Sequence, residues 1–159
     1  MKFVLYLCTN SALESNKAQK LLDYLAGKLR NTAEVKNILS ILAEKQDFTW
    51  AIRNSDCLVL VGSRLASSLI QNKEQEIEED WITFDGKVLH DEFVRNKELV
   101  KKLIMVFFTE RSKNDWVPDG LDQKRIFDLD NEKIYKGNPV VTHLEYTIRR
   151  VLGETMVDW

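Results

Sequence analysis

The chain has 159 residues, 44% of them hydrophobic and 30% charged, which predicts one globular domain spanning 1–159 with a sizeable core and argues against native disorder. Its 23 basic and 25 acidic residues leave a net charge of −2, so no global field favours nucleic acid or an anionic membrane. No apolar run approaches the roughly 18–20 residues that a membrane span needs, which predicts no membrane insertion by this chain.

The first element is the apolar run FVLYLC, residues 3–8. It lacks the small-residue cleavage site of a signal peptide and reads as a strand buried on both faces. Ser11 to Asn31 follows as an amphipathic helix, with Leu21, Leu22, Leu25 and Leu29 on its apolar stripe. Residues 33–39, AEVKNIL, alternate weakly; a short second strand is expected there, with a helical reading in competition. Asp47 is positioned to cap a helix running to about Asn54, with Phe48, Ile52 and Trp50 turned inward.

Residues 57–62, CLVLVG, form the clearest buried strand, and Ser63 caps a short helix carrying Leu65, Leu69 and Ile70. Between Gln71 and Asp85 the composition turns acidic, with Glu74, Glu76, Glu78, Glu79 and Asp80 ahead of Trp81, Ile82 and Phe84. This stretch reads as a surface insertion, because elements on both sides are needed to complete one sheet. A helix from about Leu89 to Lys101, the strand LIMVFF at 103–108, a short strand at Arg125–Leu129 and a closing helix at Val140–Leu152 finish the chain. Cys8 and Cys57 both lie in strand runs, without Cys-x-x-Cys spacing or a neighbouring histidine. Buried thiols in a reducing compartment are therefore expected.

Strands that are apolar throughout and separated by helices predict an α/β fold, with a parallel sheet covered on both faces. Right-handed crossovers make it doubly wound, with about five strands in the flavodoxin-like order 2-1-3-4-5. That order sets Thr9, Asn10 and Ser11 beside Ser63 and Arg64, at the carboxyl ends of the first and third strands. Two hydroxyls, an arginine and free N–H groups there could hold an anion, although serine is also an ordinary helix cap. No Gly-x-Gly-x-x-Gly or Walker-type loop occurs, which argues against dinucleotide binding of the usual kind. His90, Asp91 and Glu92 are adjacent, but neighbouring helical residues point about 100° apart and do not converge on a metal. The acidic residues Glu76, Glu78 and Glu79, with Trp81 as an apolar anchor, and the basic Lys97, Lys101 and Lys102 are charge-complementary patches suited to head-to-tail self-association.

Three stretches carry a resemblance: FVLYLC with the helix after it; WAIRNSDCLVLVGS, 50–63; and Glu92-Phe93 followed by LIMVFF, Val117-Pro118 and the strand at Arg125–Leu129. Together with the acidic insertion they make residues 3–152 resemble the TIR/SEFIR superfamily, and its SEFIR branch in particular. The first box departs from the family's Tyr-Ser pattern, since Leu7 follows Tyr6, and Met105 stands where proline is common. The resemblance implies a cytoplasmic signalling module that assembles with other SEFIR or TIR-like domains and needs no cofactor. Some TIR domains instead cleave the nicotinamide–ribose bond of NAD with a glutamate on the helix before the fourth strand. In that alternative Glu92 would be catalytic, with Thr9, Asn10, Ser11 and Arg64 lining the NAD pocket.

Overall fold

Strands whose every side chain is apolar can lie only in the middle of a fold, with a layer on each side. In the computed structural model, which describes residues 2–9, 15–73 and 83–153, five strands make one all-parallel sheet, and two inner ones, CLVLVG and LIMVF, are apolar and buried throughout. The five are β1 (Lys2–Leu7), β2 (Ala33–Lys36), β3 (Cys57–Gly62), β4 (Leu103–Phe107) and β5 (Ile126–Asp128). Their spatial order, β2-β1-β3-β4-β5, is the flavodoxin-like order expected from the sequence. The helices are α1 (Ser15–Leu29), α2 (Ile38–Ala43), α3 (Phe48–Asn54), α4 (Arg64–Ile70), α5 (Gly86–Arg95) and α6 (Pro139–Val151). Among the described residues no helix is long and apolar enough to cross a membrane.

Side chains alternate along each strand, so the sheet feeds two separate cores. Val4, Tyr6, Cys57, Val59 and Ile104 meet Leu21, Leu25 and Leu29 of α1 and Leu144 and Ile148 of α6. Phe3, Leu5, Leu58, Leu60 and Met105 point the other way, onto Ile41 of α2, Ile52 of α3, Ala66 of α4 and Leu89 of α5. Burial of each such aliphatic side chain contributes about 1.5–3 kcal/mol before chain entropy is subtracted. In the core on the α1 and α6 side the buried Tyr6 keeps its polar end satisfied: its hydroxyl donates to the Ala18 carbonyl at 2.8 Å. Burial, with smaller contributions from Cys8 and Asp23, raises its pKa well above the usual phenol value.

Cys57 opens β3, the central strand, with no exposed surface, and burial pushes its thiol up to about 12 from an ordinary 9.0. The folded pKa is raised, so this contribution to stability is complete below pH 9 and is lost as pH climbs through about 12. Two outcomes are expected in a Cys8→Ser background. Labelling of Cys57 by a thiol reagent at pH 8 should proceed only at the rate of global unfolding. Replacing Cys57 by alanine should flatten the alkaline loss of stability, measured by urea titration between pH 9 and pH 12. Rapid labelling of the native protein would contradict this burial.

Several boundaries differ from the sequence-based expectation. The second strand stops at Lys36 because Asn37 caps α2: its side chain accepts from the Ser40 N–H at 2.9 Å, and Ser40 Oγ faces the Asn37 N–H at 3.4 Å. The helix expected from Leu89 to Lys101 starts earlier, at Gly86, where Asp85 accepts from the Val88 N–H. It also ends earlier, at Arg95. Asn96 takes an extended conformation and caps a 3-10 stretch, Lys97–Lys102, by accepting from the Glu98 N–H at 3.0 Å. Trp50 is not turned inward: it is 42% exposed, because Ala51 and Ile52 take the buried side of α3. It lies at the rim instead, stacked on Phe3 with ring centroids 5.9 Å apart. The first helix is seen from Ser15 onward, and its expected start at Ser11 lies outside the described residues.

Candidate functional site

In a parallel sheet the loops that follow the strands gather at one edge and the loops that precede them at the other. The candidate residues divide between these two edges. At the carboxyl edge, Thr9 follows β1 and Ser63 follows β3; both are buried, with their hydroxyl oxygens 3.4 Å apart. Ser63 Oγ also accepts from the Ala66 N–H at 3.0 Å, as the cap of α4. The topology therefore brings Thr9 and Ser63 together, while Arg64 is exposed beside them in sequence. Asn10 and Ser11 lie outside the described residues.

Glu92 belongs to the opposite edge. It begins the last turn of α5, 5% exposed, and both carboxylate oxygens are taken by one guanidinium. Arg53 Nη2 donates to Oε1 at 2.8 Å and Arg53 Nε donates to Oε2 at 3.0 Å. This fork-to-fork pairing is the strongest geometry open to an arginine and a carboxylate. The bond to Glu92, followed by the Glu92 charge, raises the Arg53 pKa above its already high value. Arg53 is the penultimate residue of α3, only four residues before β3 begins, which fixes the pair at the amino edge. β3 is six residues long, so roughly 15–20 Å of strand separates this edge from Thr9 and Ser63.

Other cations close the same edge. Lys102 Nζ donates to the Ile52 carbonyl at 3.2 Å and to the Arg53 carbonyl at 3.3 Å, satisfying the last carbonyls of α3. Burial lowers the Lys102 pKa. Arg125 Nη1 donates to the Lys101 carbonyl at 2.8 Å, tying the start of β5 to the turn before β4. Lys97 and Lys101 lie on that turn and are exposed. Lys101 pairs with Glu98 at 2.8 Å, with both side chains more than two-thirds exposed, a contact that adds little to stability.

The neighbour of Glu92 does a second packing job. Phe93 faces the ring of Trp116 edge-on, with centroids 5.5 Å apart and planes at 72°. The backbone N–H of Trp116 donates to Ser67 Oγ at 2.8 Å. Glu92 thus pins α5 to α3, while Phe93 pins it to the segment carrying Val117 and Pro118. His90, Val94 and Lys97 share a shallow groove with Trp116, Val117 and Pro118, of about 160 Å³, and Val94 there is 55% exposed. His90 itself turns to Asp91 at 3.5 Å, and both are about half exposed.

Arg53 is the residue that sequence reading passed over. The available signal was a glutamate at a position facing the core side of α5, which requires a cation within reach. Glu76, Glu78, Glu79 and Trp81, the acidic half of the expected association surface, lie outside the described residues. Among the described residues no group of three or more His, Cys, Asp or Glu side chains is placed to hold a metal ion. Comparison with family models, with curated proteins and with solved structures finds no match to this chain.

Proposed function

We propose that this chain is a cytoplasmic signalling module that acts by associating with domains of its own kind, of the SEFIR or TIR-like type, and carries out no chemistry of its own. The observation that carries this reading is the Glu92–Arg53 clamp. Cleaving a nicotinamide–ribose bond needs a carboxylate facing the sugar, where positive charge develops, in a pocket closed to water. Glu92 has both oxygens engaged by Arg53 and stands at the edge of the sheet away from Thr9 and Ser63. Its role in this reading is to lock α5 onto α3.

What remains for function is surface. Lys97 and Lys101 project from the amino edge beside the exposed Val94, and the chain also carries the acidic run Glu74 to Asp80. A basic patch and an acidic segment on one chain suit head-to-tail assembly, in which each copy offers one sign to the next.

Incubation of the concentrated protein with NAD, followed by chromatography of nicotinamide, tests the absence of chemistry. No release above the buffer blank is expected. Steady release that disappears in Glu92→Ala would overturn the proposal in favour of an NAD hydrolase.

A further inference from the structure

A polar cleft lies between α4 and the turn that follows β4, and the association proposal makes no use of it. It encloses about 300 Å³, at the small end of the range for small-molecule sites. Arg64 opens it from the first residue of α4, and Lys73 closes it from just beyond the last. Lys73 is brought back by Asn72, whose left-handed backbone (φ 56°) lets the Lys73 N–H donate to the Ser68 carbonyl at 2.9 Å. Neither cation is in an ion pair or side-chain hydrogen bond among the described residues.

Between the two cations the lining consists of hydroxyls and amides. Ser67 is 5% exposed, and its oxygen accepts from the backbone N–H of Trp116. Its own O–H has no acceptor among the described residues and is available to a ligand. Gln71 and Asn114 add groups that both donate and accept. Asp115 supplies one carboxylate to the wall, with Oδ2 accepting from the Ser112 N–H at 2.6 Å. Two cations without an ion-pair partner among the described residues suit a doubly charged anion. Among the described lining residues Asp115 is the one carboxylate; with the amides beside it, it favours a ligand whose remainder presents hydroxyls, because a bare anion would meet Asp115 unscreened.

We infer that this cleft binds a small phosphate monoester carrying hydroxyl groups, a sugar phosphate in chemical class, with Arg64 and Lys73 on the phosphate and Asp115, Asn114 and Gln71 on the hydroxyls. The inference does not depend on the association proposal, and its failure would leave that proposal untouched.

Amide NMR of the whole chain, titrated separately with glucose 6-phosphate, inorganic phosphate and glucose at matched ionic strength, tests it. Glucose 6-phosphate is expected to give saturable shifts at the Ser67, Ser68, Lys73 and Asp115 amides, at least about tenfold tighter than inorganic phosphate. Glucose should give none. Arg64→Gln combined with Lys73→Gln alters two exposed side chains, so the fold should persist while affinity falls about tenfold or more. Three results would each overturn the inference: no saturable shift up to about 10 mM, equal affinity for phosphate and glucose 6-phosphate, or an affinity unchanged in the double variant.

Discussion

Replacing Gly86 with alanine is expected to lower the thermal midpoint by roughly 5–10 °C, from a loss of about 2–3 kcal/mol. Gly86 opens α5 against the end of α4. A β-carbon built there would lie 2.3 Å from the Leu69 carbonyl carbon, 2.4 Å from its oxygen and 2.6 Å from the Ile70 nitrogen. All three are backbone atoms, so the clash cannot be relieved by a rotamer change, and α5 must move away. Moving α5 carries Glu92 and Phe93 with it, and both of their anchors loosen. Gly27, exposed in the last turn of α1 with open space around it, is the control. There the same substitution should stabilise by about 0.5–1 kcal/mol, because alanine costs less chain entropy in a helix. Thermal denaturation followed by circular dichroism reads both. A Gly86→Ala protein as stable as the parent would mean that α4 and α5 do not approach this closely.

The second large effect is expected from the Glu92–Arg53 pair, and it should be asymmetric. The Glu92 side chain is 6% exposed, whereas that of Arg53 is 55% exposed. Arg53→Ala leaves a carboxylate buried with no cation to meet it, the costly way to break an ion pair. A fall in the thermal midpoint of roughly 5–10 °C at pH 7 is expected. Glu92→Gln removes the buried charge, keeps a hydrogen-bonding oxygen and leaves a guanidinium that water can solvate. Its midpoint should fall by only about 2–3 °C. Denaturation of the two variants side by side checks the ordering. A Glu92→Gln protein less stable than Arg53→Ala would show that the pair is not held together as a buried carboxylate seeking its cation.

How much of this was legible in the sequence follows from how far each signal reaches along the chain. CLVLVG and LIMVFF declare themselves because a doubly buried strand leaves no position for a polar side chain. With several such strands separated by helices, the parallel order follows from connection rules alone, and so does the meeting of Thr9 with Ser63. Helix ends were harder. The box that starts α2 uses serine at the position where glutamate or glutamine is usual, so Asn37 passed for strand. The break at Asn96 has no glycine or proline to announce it; only the capping capacity of the asparagine marks it. Trp50 lies outward because a short helix has one buried stripe, and the small Ala51 together with Ile52 fills it.

The site was the least legible part, and the reason is distance along the chain. Glu92 and Arg53 are 39 residues apart, on different helices, and no local pattern joins them. A lone carboxylate on a helix before the fourth strand looks the same on paper whether it faces a substrate or an arginine. Only the packing of α5 on α3 separates the two.

Sedimentation velocity over a range of concentrations tests association most directly. The parent chain is expected to show a boundary that moves faster as protein concentration rises, through reversible self-association. Lys97→Glu with Lys101→Glu should shift this toward the monomer and leave the far-ultraviolet circular dichroism native. A single monomeric boundary for the parent, unchanged up to about 100 μM, would contradict self-association as its mode of action.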